Sequence, residues 1–232
     1  MTKIFCDIAD IKLIKKFNKK KIVKGFTTNP SLMRKAGAKN YSKYSKKILK
    51  LTSKPVSCEV FADDLTRMID QGKIISKWGK NVYVKVPVTN SKGKFTGKVI
   101  KNLNHNNIKL NITAVYTPQQ TKKILKIINK RTKVIISIFA GRMGDSGKDP
   151  IPQFKESLKI SRKYKNVQIL WASTREPYNY LQAKKLGCHI ITVPPAIIET
   201  IEKFGKSFEK LTTDTVKAFL EDSKKSNFSL EN

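Results

Sequence analysis

Eight short apolar runs recur along the chain, separated by longer amphipathic segments, and this alternation constrains the fold most. The runs are rich in Val and Ile and lack strict polar alternation, which is typical of parallel strands covered by helices. We predict strands at Lys3–Cys6, Ile22–Gly25, Pro55–Val60, Val82–Val86, Ile108–Ala114, Lys133–Ile138, Val167–Trp171 and His189–Val193. An open doubly wound sheet is the alternative, but no GxGxxG or GxxxxGK turn follows an early run. The pattern therefore favours an α/β fold, a single (β/α)8 TIM barrel.

The segments between the runs predict helices. The clearest are Ser31–Leu51, Thr117–Asn129, Pro152–Tyr164 and Pro177–Leu186. Asn29 before Pro30 and Thr117 before Pro118 are start signals, and Gly187 is a stop signal.

Two further helices are predicted after the last strand, at Pro194–Gly205 and Lys206–Lys225. We expect a barrel over residues 1–205 and a C-terminal helix and tail over 206–232. Apolar positions at Val216, Phe219 and Leu220 predict that this helix packs either on a neighbouring subunit or on its own barrel.

The charge balance is the compositional outlier. The 232 residues hold 48 Lys plus Arg against 17 Asp plus Glu, a formal net charge of +31. Such a balance favours polyanion binding. However, only six of the 48 are arginine, the lysines are spread along the chain, and no arginine stretch is interleaved with aromatics. We expect a lysine-coated, solvated surface without specific nucleic-acid binding.

Cysteine and histidine are too sparse for a disulfide framework or a metal cluster. Cys6, Cys58 and Cys188 lie far apart, and the chain has two histidines. No apolar run reaches the roughly 18 residues of a membrane span. We expect a cytoplasmic protein with no cofactor, no metal and no membrane partner.

Polar residues gather where the predicted strands end, which is the end of such a barrel that carries chemistry. They are Asp7, Thr27, Thr28, Asn29, Glu59, Lys85, Thr89, Asn111, Thr113, Arg142, Ser173, Thr174, Arg175 and Thr192. Asp7 also fits a cap for a helix starting near Ile8. Lys109 and Lys133 also lie in predicted strands, but they are not accompanied by these strand-end polar residues.

An interior lysine with carboxylates and hydroxyls is suited to Schiff-base chemistry on a carbonyl. The amine must be neutral to attack, and burial favours the neutral form. Arg142 and Arg175 can hold a substrate phosphate bidentately. The residue types therefore predict an aldol-type carbon–carbon cleavage or transfer centred on Lys85.

Seven motifs resemble the small-subunit transaldolase and fructose-6-phosphate aldolase family of class I aldolases. They occur in family order over essentially the whole chain: GFTTNPSL at Gly25–Leu32, SCEV at Ser57–Val60, VKVPVT at Val84–Thr89, LNITAV at Leu110–Val115, SIFAGR at Ser137–Arg142, LWASTR at Leu170–Arg175 and TVPP at Thr192–Pro195. The resemblance implies phosphorylated sugar substrates, a place in the pentose phosphate pathway and a homo-oligomer.

The resemblance also implies a role for each site residue. Lys85 would form the Schiff base, Asp7 would handle the proton of the C4 hydroxyl, and Glu59 with Thr113 would hold a water for proton transfer. Substrate hydroxyls would bind Thr27, Asn29 and Asn111, and the phosphate would bind Arg142, Ser173 and Arg175.

Glu59 and Phe139 resemble the transaldolase members, since the aldolase type has Gln and Tyr there. The alternatives are a fructose-6-phosphate aldolase releasing dihydroxyacetone, or a basic anion- or nucleic-acid-binding barrel without catalysis. Departures from the family at Asn90–Gly97, Asn129–Thr132, Met143–Asp149 and Trp171 are expected around the mouth or rim.

Overall fold

The computed structural model describes residues 1–230 and contains a closed barrel of eight parallel strands in chain order. The strands are β1 Lys3–Asp7, β2 Val23–Thr27, β3 Val56–Glu59, β4 Val82–Pro87, β5 Leu110–Val115, β6 Val134–Phe139, β7 Val167–Ala172 and β8 Ile190–Val193. Strand β1 pairs with both β2 and β8, which closes the barrel. The predicted TIM barrel is confirmed.

Helices alternate with these strands. They are α1 Ile11–Asn18, α2 Pro30–Lys35, α3 Tyr41–Lys50, α4 Leu65–Ser76, α5 Gly97–His105, α6 Pro118–Leu125, α7 Ala140–Asp145, α8 Ile151–Ser161, α9 Tyr178–Leu186, α10 Pro195–Ile201 and α11 Phe208–Lys225. The single helix predicted over Ser31–Leu51 is wrong. Gly37, at φ 74°, breaks it into α2 and α3, and the Asn40 side chain caps α3 by accepting from Lys43 N.

The start and stop signals of three helices are confirmed. Asn29 caps α2, Thr117 and Gln120 form a capping box on α6, and Gly187 ends α9 in the left-handed region. The alternative in which Asp7 caps a helix near Ile8 is wrong, because α1 begins at Ile11 and Asp10 caps it. Asp7 therefore does not cap α1.

An apolar layer fills the middle of the barrel. Phe5, Tyr83, Ile135, Leu170 and Ile190 come from five strands and form one buried cluster. Each such side chain stabilises the fold by about 1.5–3 kcal/mol on burial. We call this cluster the central layer. It lies between the N-terminal and C-terminal mouths of the barrel.

Two of the family departures lie away from the C-terminal mouth, so their predicted position is wrong. Trp171 is 1% exposed and its ring stacks on Phe154 of α8, with centroids 4.5 Å apart. Asn129–Thr132 precedes β6 at the N-terminal end, where Asn129 Nδ2 donates to the Asn104 carbonyl. Trp171 is instead a packing residue between strand and helix.

The three cysteines are free and buried. Burial raises the pKa of each thiol to about 12. Thiols held protonated in this way are poor nucleophiles.

A second compact unit begins at Glu199, after a first unit of Met1–Ile198. It contains α11, which Ser207 caps. Lys206 and Lys210 both form ion pairs with Asp214, at 2.7 and 2.8 Å. The packing partner of its apolar positions stays a prediction, and residues 231–232 of the predicted tail lie outside the described residues. Among the described residues, no helix has both the length and the apolar character needed to cross a membrane.

Candidate active site

A cavity of about 200 Å³ opens at the carboxyl ends of the strands. It brings together ten of the predicted site residues: Asp7, Thr27, Asn29, Lys85, Asn111, Thr113, Phe139, Arg142, Ser173 and Arg175. The eleventh, Glu59, contacts the cavity residue Lys85 directly. Residues from all parts of the barrel sequence thus converge on one mouth.

Lys85 is the buried lysine of this cavity. Strand pairing sets Glu59 beside Lys85 and Lys85 beside Asn111, so the three side chains project inward at one level. The Lys85 side chain is 9% exposed, and its Nζ lies 3.0 Å from Glu59 Oε2. Nζ also donates to the Thr28 carbonyl at 3.1 Å. Two contacts therefore hold the amine in place.

Tyr41 fixes the backbone of Glu59. Its hydroxyl donates to the Glu59 carbonyl at 2.9 Å and accepts from the Glu59 amide at 2.8 Å. Sequence reasoning missed Tyr41, because it lies on α3 and nothing in its local pattern signals a contact with β3.

Asp7 projects from the end of β1 towards the same centre. Thr27 Oγ1 donates to Asp7 Oδ1 at 2.7 Å and also contacts the Thr192 hydroxyl. Burial raises the pKa of Asp7 above its ordinary value, and nearby Glu59 adds to the rise, while the Thr27 hydrogen bond and Lys85 oppose it. Asp7 is thus a stronger base than a solvated aspartate.

Asn111 is held on both sides. Its Nδ2 donates to Ser57 Oγ at 3.0 Å, and its Oδ1 accepts from Ser137 Oγ at 2.6 Å. Ser137 and Thr192 also line the cavity. The sequence placed Thr192 at a strand end without a role, and Ser137 was missed. A signal existed, since Ser137 lies two residues from the inward Ile135 and so shares its face.

Thr113 lies beside an irregularity in β5. The register with β6 shifts between Ile112 and Val115, and Ala114 has a φ of 57°. Thr113 Oγ1 is buried, and no described residue bonds to it. A buried hydroxyl of this kind is suited to a small polar guest in the cavity.

Two arginines form the rim. Arg175 Nε and Nη2 donate to Asp145 Oδ1 and Oδ2, at 3.0 and 2.5 Å. This pairing raises the pKa of Arg175 and lowers that of Asp145. The Arg142 guanidinium lies 5.6 Å from the centroid of Phe139. Sequence reasoning missed Asp145, which lies 30 residues from its partner.

The rim is closely packed where α7 meets β7. Ser173 has a φ of 62°, in the left-handed region. A Cβ on Gly141 would lie 1.7 Å from the Ser173 carbonyl oxygen. Glycine is therefore required at 141, and Ser173 has a strained backbone conformation beside it.

A family model described as Transaldolase/Fructose-6-phosphate aldolase matches residues 4–232, nearly the whole chain. The chain belongs to this family. A protein named probable transaldolase from Nitrosopumilus maritimus is 34% identical over 224 residues, which cover 91% of this chain and 97% of that protein. Another from Thermoplasma volcanium is 35% identical over 226 residues, covering 96% of each.

Likeness to one solved structure supports the fold alone. A protein assigned to the dihydrodipicolinate synthase family from Coccidioides immitis matches with a TM-score of 0.56 at 12% identity. The match covers 82% of this chain and 66% of that structure, slightly less than two thirds of its length.

Proposed function

We propose that this chain is a transaldolase of the pentose phosphate pathway. It transfers a dihydroxyacetone unit from fructose 6-phosphate or sedoheptulose 7-phosphate to an aldose phosphate, through a Schiff base on Lys85. The observation that carries this proposal is the buried Lys85 amine, which lies 3.0 Å from Glu59 in the cavity that also holds Asp7.

Lys85 attacks the C2 carbonyl of the ketose. A neutral amine is needed, and Glu59 is placed to accept the ammonium proton. The carbinolamine then loses its oxygen as water and becomes an iminium, with a proton supplied to the departing oxygen. Glu59 is suited to return that proton through a water held against the Thr113 hydroxyl, which has no partner among the described residues.

Asp7 takes the proton of the C4 hydroxyl. As the C3–C4 bond breaks, its electron pair moves into the iminium to give an enamine, and the aldose phosphate leaves with the new aldehyde. The raised pKa of Asp7 makes its carboxylate a better proton acceptor for this step. The enamine then attacks the acceptor aldehyde, and Asp7 returns the proton. Water adds to the resulting iminium, and the new ketose phosphate leaves as the Lys85 amine is regenerated.

Arg142, Ser173 and Arg175 bind the sugar phosphate. Arginine suits bidentate phosphate recognition, and both guanidinium groups border the cavity. Asp145 occupies the fork of Arg175, so a phosphate must share or replace that contact.

Glu59 and Phe139 favour transfer over release. Glu59 places a carboxylate beside Lys85. Phe139 has no hydroxyl, so position 139 offers no phenol that could protonate the enamine; its ring centroid lies 6.0 Å from that of Tyr116. The enamine then waits for an acceptor, and free dihydroxyacetone does not accumulate.

Borohydride trapping with fructose 6-phosphate tests the proposal. We expect a reduced three-carbon adduct, and peptide mapping should assign it to Lys85. Addition of erythrose 4-phosphate before borohydride should deplete the adduct. Dihydroxyacetone released without acceptor would indicate the aldolase, and a folded protein with no adduct would refute Schiff-base chemistry on this donor.

A further inference from the structure

The opposite mouth of the barrel contains a second, strongly cationic cavity. It has a volume of about 480 Å³ and lies at the amino ends of the strands. Six cations line it, and we call them the basal cluster: Lys3, Lys24, Lys130, Arg131, Lys133 and Lys165. In the part of the chain that the structure describes, no Asp or Glu lines this cavity.

Strand periodicity directs two of these lysines inward. Lys3 lies two residues before Phe5, and Lys133 lies two residues before Ile135. Phe5 and Ile135 belong to the central layer, so each lysine shares the inward face of its neighbour. An adjoining cavity of about 330 Å³ shares Lys133 and adds Lys80 and Lys109. The proposed transaldolase chemistry leaves all of these lysines without a role.

The lysines at this end influence one another. Burial lowers the pKa of Lys109 and Lys133 lowers it further, while the pKa of Lys54 is lowered by burial and by Lys24. Lys109 lies 5.2 Å from the centroid of the Tyr83 ring, in the central layer. Like charges converge on one concavity, and an anion there would be attracted by all of them.

A purely structural role explains this arrangement poorly. Polar residues at the amino ends of barrel strands usually serve stability. Cations without carboxylate partners in a shared cavity repel one another and therefore oppose folding. A bound anion would turn this unfavourable repulsion into a net stabilisation of the folded state.

We propose that the basal cluster binds a compact oligophosphate of the pyrophosphate or tripolyphosphate class. Its volume lies in the range of small-ligand sites. The concave form suits a short chain of phosphates, whereas a nucleic-acid duplex needs an extended basic stripe. This site is separate from the cavity of Lys85, because the central layer lies between them.

Calorimetric titration with tripolyphosphate tests the site. The titrated proteins are the full chain, K3Q/K133Q/K165Q, and the control K46Q/K101Q/K155Q, which removes the same charge from exposed helix positions. Each is titrated with Arg142 and Arg175 intact and again in an R142Q/R175Q background, which removes the proposed phosphate contacts at the other mouth. We expect the basal variant to lose affinity by about tenfold to a hundredfold and the control to stay within about twofold.

Circular dichroism and thermal melts establish that each variant folds, and K3Q/K133Q/K165Q with its arginines intact should keep wild-type turnover. Equal losses in the basal and control variants would indicate diffuse surface attraction and overturn the proposal. If removal of Arg142 and Arg175 abolished all tripolyphosphate binding, the proposal would also be overturned. Tighter binding of a single-stranded DNA oligomer than of tripolyphosphate would likewise contradict it.

Discussion

The two mouths of the barrel use the same residue type in opposite settings. At the carboxyl end, Lys85 is buried and lies against Glu59. At the amino end, Lys133 is exposed and shares its cavity with other cations. Lys85 lies within β4, and Lys133 directly precedes β6. Position and residue type alone therefore do not distinguish the two lysines; burial and a neighbouring carboxylate do.

Replacing each lysine by methionine gives the largest expected difference between the ends. Lys85→Met should lower turnover by at least about ten-thousandfold, because no amine remains to form the Schiff base. Lys133→Met should leave turnover unchanged. Coupled detection of the released aldose phosphate measures both. Comparable turnover in the two variants would contradict the separate roles proposed for Lys85 and Lys133.

Asp7→Asn should lower turnover by about a hundredfold to ten-thousandfold and raise the melting temperature. The pKa of Asp7 is raised in the folded state. The folded chain therefore binds more protons than the unfolded chain, and stability falls as pH rises from the ordinary aspartate value, about 3.9, through the raised folded pKa. At neutral pH the ionised carboxylate opposes folding, and asparagine removes that cost.

Thermal melts at several pH values check this sign. The stabilisation by Asp7→Asn should shrink as pH falls through that window. A variant less stable than wild type at neutral pH would show that burial of Asp7 does not oppose folding.

Gly141→Ala should destabilise the protein by about 2–4 kcal/mol, because the new methyl group meets the Ser173 carbonyl. Gly144→Ala is the matched control. It lies on the same helix, its added methyl group would have no neighbouring atom within 4 Å, and alanine favours helix by about 0.5–1 kcal/mol. Urea denaturation measures both free energies of unfolding. Equal effects would mean that the rim can relax around the added group.

Arg175→Gln should raise KM for fructose 6-phosphate by about tenfold to a hundredfold, with a smaller change for unphosphorylated fructose. The two substrates separate phosphate binding from the carbon–carbon chemistry. An equal rise for both sugars would place Arg175 outside phosphate recognition and assign it to holding Asp145.

Lys133→Gln gives the smallest effect. Relief of repulsion should raise the free energy of unfolding by about 0.2–1 kcal/mol, and added salt should remove the gain. Chemical denaturation at low and high ionic strength measures it. A loss of stability would show that Lys133 has a structural role.

The sequence predicts features that depend on near neighbours. Strand positions follow from Val- and Ile-rich runs, and the caps at Asn29 and Thr117 follow from local hydrogen bonding. Most site residues were found because parallel strands bring their carboxyl ends together.

Features that join distant segments were not predictable in this way. Tyr41 on α3 contacts Glu59 at the end of β3, and Asp145 on α7 contacts Arg175 beyond the end of β7. The break at Gly37 was missed because amphipathic periodicity continues across it, although a left-handed glycine ends the helix.

The central layer has a consequence for how such a chain can change over time. Phe5, Tyr83, Ile135, Leu170 and Ile190 exclude solvent between the two mouths. Charges added at the amino end are thereby insulated from the groups that would handle protons at the other end. If the composition of such a chain drifts towards lysine over evolution, lysines can be added at the amino end without changing the residues around Lys85.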